Sequence, residues 1–228
     1  MYMHIIKPGL CIVAMLAINA LLYSVSTDAD WDPSETGPFE TAQALVLLLT
    51  AGLWTTAWRL ANKGTFGRLL GIVLAGFAVW FGGREIAWGG IYGVPFAITR
   101  GLEIVIVAVI LVMLFCQARI WFARIPDRTR TLLVFARTWR FFFLALGAAS
   151  VLVGDFLDKK ILALQYSQHL EEIFELSGWL CFLVAAACHV SITAGLGALH
   201  VRDRRANGAM KAAGFSPSRE ASPSEAGR

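Results

Sequence analysis

The residues of this chain that could do chemistry are carboxylates placed inside or at the rims of apolar runs: Glu40, Glu85, Asp155 with Asp158, and Glu171, Glu172 and Glu175. Arg84 precedes Glu85, and His169 precedes the last group. An ionisable residue at the centre of a spanning helix costs roughly 2.5 to 3.5 kcal/mol on insertion scales and less near an interface, so each of these needs a partner, a water-filled cavity or a site. Asp155 and Asp158 are spaced i,i+3, Glu171 and Glu175 i,i+4, and Glu172 and Glu175 i,i+3, so each pair shares a helix face. Arg84 and Glu85 point about 100° apart and must look to other helices for partners. Where such faces converge, the carboxylates bind a cation, hold protons or open to water. Oxygen ligands from Glu85, Asp155, Asp158 and Glu175 suit Ca²⁺, Mg²⁺ or Mn²⁺, and His169 is the one imidazole placed to change that preference.

The elements that must position these groups are membrane spans. The 228 residues are 57% hydrophobic and 16% charged, with a mean hydropathy of +0.63. The apolar runs are long enough to cross a core of about 30 Å at about 1.5 Å per residue. The expectation is an all-α integral membrane bundle of six helices over 9–25, 39–58, 69–88, 101–117, 141–157 and 173–199, within a domain of residues 1–202. The first run reads as a retained helix, because Thr27-Asp28-Ala29 makes a poor cleavage site. An amphipathic piece lying on the surface is expected around Ile120 to Arg137, and a disordered cytoplasmic tail over 203–228.

Charge gives the orientation. Sixteen of the twenty Lys and Arg fall at the N-terminus, in the turns after the second and fourth helices and in the tail; twelve of the sixteen acids fall on the other side. By the positive-inside rule both termini are cytoplasmic. The net charge of +4 therefore reflects topology and gives no signal for nucleic acid. Trp31 and Trp88 mark one interface, with Trp54, Trp58, Trp121 and Trp139 near the other. Small residues at Gly147-Ala148-Ala149-Ser150, Gly154 and Ala185-Ala186-Ala187 point to close helix packing. Cys11, Cys116, Cys181 and Cys188 lie in apolar runs and read as buried fillers rather than disulfides.

Helix direction separates the acids. Glu40, Glu103 and the Glu171 to Glu175 group sit at helix N-termini, where the macrodipole favours them by about 0.3 to 1 kcal/mol each. Glu85, Asp155 and Asp158 sit at C-terminal ends, where it does not. Counting residues from Arg68 and Arg140 places Glu85 about 25 Å and Asp155 about 22 Å from the inner edge, still inside the hydrocarbon.

Several chemistries have no support. Haem needs facing axial ligands, and His189 is the one mid-membrane histidine. No HExxH, P-loop or dinucleotide-binding glycine pattern occurs, so zinc hydrolysis and nucleotide use lack a signal. Ser150 with His189, and Cys188 beside it, read as packing residues.

The stretches Glu35-Thr36-Gly37-Pro38, Arg84-Glu85, Gly154-Asp155 with Asp158, and Glu171-Glu172 with Glu175 resemble those of a group of small bacterial inner-membrane proteins of unknown function. That group carries Asn where Thr36 stands here. The resemblance implies the cytoplasmic membrane of a bacterium and no activity. Two functions stand side by side. One is an outward-facing intramembrane acidic site for a divalent cation or a lipid head group, able to support enzymatic work with Glu85 and Asp155 as ligands or as acid and base. The other is an accessory subunit in which Arg84, Lys159 and Lys160 pair with the acids and the small-residue faces dock a membrane-protein partner or a second copy.

Overall fold

A computed structural model describes residues 8–28, 38–125, 127–158 and 167–212. Among these the chain is wholly helical: α1 (Pro8–Asp28), α2 (Pro38–Leu60), α3 (Phe66–Glu85), α4 (Phe96–Arg124), α5 (Arg128–Ala136), α6 (Trp139–Asp158) and α7 (Ser167–Ala212), with a 3₁₀ turn over Ala87–Tyr92. All but α5 are long and apolar enough to cross a membrane, which makes this a multi-pass helical membrane protein.

The boundaries follow local chemistry. Pro38 occupies the first position of α2, where its missing N–H costs nothing. Thr65 caps α3 by accepting from the Arg68 N–H at 3.4 Å, and Asp127 caps α5 by accepting from the Arg130 N–H at 3.1 Å. The Asp127 cap splits the expected surface piece: its first residues, 120–124, prolong α4, and only 128–136 form a separate helix. The third helix ends at Glu85 instead of residue 88, because the backbone turns left-handed at Ala87 and Trp88. The tail is corrected as well. Residues 203–212, expected to be disordered, continue α7 as helix, consistent with the helix-forming Ala, Arg and Lys they contain. Residues 213–228 lie outside the described residues.

Four helices, in the spatial order α3, α2, α7, α6, form a curved wall. The α6–α7 seam is built on glycine. A Cβ on Gly147 would lie 2.8 Å from the Gly178 carbonyl, and one on Gly178 would lie 2.5 Å from the Val151 side chain. Beside them the Ser150 hydroxyl donates to the Phe174 carbonyl at 2.6 Å. At the α2–α3 seam a Cβ on Gly71 would meet the Trp54 carbonyl at 3.1 Å. Small residues thus let backbones touch where lipid supplies no hydrophobic drive between helices. α4 leans on α3, and α1 packs on α7, where the Ser177 hydroxyl donates to Asn19 Oδ1.

α3 and α6, the two ends of the wall, do not pack along their length. A hydrogen-bonded link between them runs through His189 at the basic end of the bundle. Arg140 of α6 donates to His189 Nδ1 at 2.5 Å, and Nε2–H lies 3.2 Å from the Gly67 carbonyl of α3. Because a guanidinium can only donate, the imidazole carries its proton on Nε2. This histidine is 2% exposed and packs against Trp54 with ring centroids 5.1 Å apart. His189 is therefore a hydrogen-bonded bracket between α3, α6 and α7, where the sequence alone had given it as a packing residue.

Gly178→Val is expected to force the α6–α7 seam apart and to destabilise the protein by about 1 to 3 kcal/mol, read as a lower melting temperature in detergent. Gly52→Ala, whose Cβ would meet open space, should melt at or slightly above the wild-type temperature.

Candidate functional site, an acidic cavity at one end of the wall

At the end opposite His189, the C-termini of α3 and α6 meet the N-termini of α2 and α7 around a cavity of about 500 Å³. Glu40 of α2, Glu85 of α3, Asp155 of α6, and Glu171, Glu172 and Glu175 of α7 all line it. The one cationic side chain among the lining residues is Arg84. The sequence left open whether these faces converge; all of its candidate polar cluster except Asp158 lines this cavity.

Local packing explains how each is held. Glu172 is 9% exposed, and its carboxylate accepts from Gln43 Nε2 of α2 at 2.7 Å; the same amide reaches the Glu172 carbonyl at 3.3 Å. That bond ties the N-terminal turns of α2 and α7, over a floor of Phe39 and Ile173. Across the seam, a Cβ on Gly154 would stand 2.8 Å from Glu175 Cγ and 3.1 Å from the Glu171 carbonyl. Glycine at 154 therefore lets the acid-bearing turn of α7 lie flat on α6, one residue before Asp155.

The rim on the α3 side is strained. Ala87 and Trp88 have φ of 44° and 55°, a conformation that costs a side-chain-bearing residue roughly 1 to 2 kcal/mol. It folds the Trp88 ring back so closely that a Cβ on Gly83 would lie 2.5 Å from it. Arg84 finds no carboxylate within ion-pair distance among the described residues. Its guanidinium instead lies 5.8 Å from the centre of the Trp80 ring on its own helix. Arg84 as a staple for the acids, one element of the accessory reading, is thus absent from the described residues. Arg84 also lines a neighbouring pocket that contains Arg100 and Glu103, which pair with each other at 2.6 Å.

Not every expected residue reaches the cavity. His169 begins α7 but does not line it. Asp158 closes α6 with its side chain outside the described residues, and Lys159 and Lys160 lie outside them altogether. Among the described residues no three of His, Cys, Asp and Glu stand close enough together to hold a metal ion. The described part of the proposed ligand set Glu85, Asp155, Glu175 and His169 therefore makes no ready cage. Carboxylates dispersed around a cavity of this size suit a hydrated ion or a polyatomic cation better than a directly coordinated one.

Sequence reasoning passed over Gln168, Phe81 and Trp179, which also line the cavity. Their signal was present as helical spacing: 168, 171, 172, 175 and 179 form one stripe of α7, and Phe81 lies one turn before Glu85 on α3. Comparison with family models, curated proteins and solved structures finds no match to this chain. The functional assignment thus rests on the geometry.

Gln43→Leu leaves the buried Glu172 carboxylate without this donor and should destabilise the protein by about 1 to 3 kcal/mol. Glu172→Gln, which keeps an acceptor for the same amide, should melt within a few degrees of wild type.

Proposed function

We propose that the acidic cavity is a binding site for a positively charged ligand, either a hydrated divalent cation or the ammonium of a lipid head group. The protein would sit in the cytoplasmic membrane of a bacterium with this end facing outward. The observation that carries the proposal is the gathering of six carboxylates around one cavity with Arg84 as the single cation among its lining residues. Charges below a membrane surface repel one another in a medium of low dielectric, and a cationic ligand relieves that repulsion while replacing lost hydration. The outward orientation rests on the asymmetry of Lys and Arg.

Glu85 and Asp155 are the residues assigned to the ligand. They stand at helix C-terminal ends, where no helix dipole favours a carboxylate, and both line the cavity. Glu172 is positioned by Gln43 and serves to join α2 to α7. That bond is the observation favouring the accessory reading, in which the acids fasten helix ends and the protein supports a membrane partner or a second copy.

Binding separates the two. Purified in mild detergent, the wild type should bind Mn²⁺, Ca²⁺ or ethanolamine near stoichiometrically by calorimetry, with any retained metal visible by mass spectrometry. Glu85→Gln and Asp155→Asn should each weaken that binding about tenfold, the scale of one lost charge-assisted hydrogen bond, and Glu85→Gln should melt like wild type. No binding of any of the three probes, with a lower melting temperature in Glu85→Gln, would assign the acids to internal pairing instead.

A further inference from the structure

The acidic cavity does not end at its carboxylates. Directly beneath it, toward the basic end, lies an apolar crevice of about 360 Å³, within the roughly 300 to 1,000 Å³ range of small-molecule sites. Phe81, Val151, Leu152 and Trp179 line both spaces, so the two adjoin. Each wall helix carries one stripe that changes character along its length. On α3 it runs Leu74, Phe77, Ala78, Phe81, Glu85, and on α6 Ala148, Val151, Leu152, Asp155. On α7 it runs Phe182, Trp179, Glu175, Glu171, and on α2 Trp54, Thr50, Leu47, Glu40. All four follow the i, i+3, i+4, i+7 spacing that keeps residues on one helix face. The Thr50 hydroxyl donates to the Val46 carbonyl at 2.7 Å, so even the polar member of the α2 stripe is satisfied within its helix.

The crevice has a side opening. α2 and α7 form its back, while α3 and α6 do not close on each other in front. On the two lips Phe77 is 50% and Leu152 is 68% exposed. The opening therefore faces the hydrocarbon of the bilayer, and the His189 bracket between Gly67 and Arg140 closes it at the basic end.

We infer that the occupant is an amine-headed phospholipid that enters sideways from the bilayer between α3 and α6. Its ammonium lies among the carboxylates, its phosphate faces Arg84, and one acyl chain lies in the crevice. The inference rests on the cationic-ligand reading of the cavity and adds the chain and the phosphate. Charge complementarity selects this occupant. A neutral or anionic lipid would meet six carboxylates and one guanidinium among the described lining residues, whereas an aminophospholipid offers each sign to its opposite. Arg84, with no carboxylate in reach among the described residues, is placed for the anion.

The test is native mass spectrometry of the full chain released from nanodiscs holding equal amounts of phosphatidylethanolamine and phosphatidylglycerol with identical acyl chains. Beside it, ethanolamine is titrated calorimetrically as a head without a chain. Wild type should retain one phosphatidylethanolamine per chain in preference to phosphatidylglycerol by about tenfold. Ala148→Phe, which fills the crevice, should lose the lipid and still bind ethanolamine; Leu152→Trp at the exposed lip is a second block that leaves the packed seams alone. Glu85→Gln should weaken both. Retention of the lipid by either crevice variant, or equal retention of the two lipids by wild type, would overturn the inference and leave the cationic cavity standing. Failure of wild type to bind ethanolamine or divalent metal would instead remove the cavity reading itself. Dimers that dissociate in Leu152→Trp with no change in lipid would place a helix of a second copy in the crevice and likewise overturn the lipid assignment.

Discussion

A carboxylate below the surface of a bilayer survives only where the protein gives it donors, water or a cation, and that constraint organises this bundle. The acids lie at helix ends, not at helix centres, and they converge from α2, α3, α6 and α7 on one space. Convergence lets them share hydration, at the expense of mutual repulsion. In a medium of low dielectric that repulsion is large, and it falls with access to water or to a counter-ion. The same acids scattered over lipid-facing surfaces would each meet hydrocarbon alone. The wall of four helices is the arrangement that avoids this.

Holding that wall open on one side requires that its seams be tight elsewhere. A helix pair with bulky residues between them sits some 8 to 10 Å apart, and only small residues bring backbones into contact. Gly147, Gly154 and Gly178 do so between α6 and α7, and Gly71 does so between α2 and α3. With both outer pairs drawn in, α2 and α7 meet as the back of the wall, and α3 and α6 are left as free lips. The His189 bracket joins those lips at one end through two hydrogen bonds to one imidazole. At the other end Gln43 holds Glu172 and joins only the back helices. The wall is thus closed at its basic end and open at its acidic end.

Much of this was legible in the sequence, for identifiable physical reasons. Six spans follow from run length and apolar content, which the bilayer reads almost directly. The glycine seam at 147 and 154 was visible as a small-residue face. Glu85 and Asp155 stood out because the helix dipole opposes a carboxylate where they lie. Three things escaped. The partner of Arg84 turned out to be Trp80 on its own helix, because a cation and an aromatic ring one turn apart satisfy each other without a second helix. The helical extension of α7 to Ala212 reflects local propensity continuing past the apolar run that hydropathy marks. The gap between α3 and α6 depends on which helices are neighbours, and sequence periodicity carries no information on that.

The gap also bears on the choice between binding and bracing. If the carboxylates served only to fasten helix ends, the ends that most need fastening are those of α3 and α6, the pair without packing of their own. Yet Arg84, the cation on α3 nearest the acids, is turned to Trp80 and reaches no carboxylate among the described residues. The polar bond that Gln43 makes to Glu172 instead joins α2 to α7, helices already packed on each other. The carboxylates of α3 and α6 line one cavity at the end of the wall away from the His189 bracket, so the described bracing of that pair lies at the opposite end from their acids.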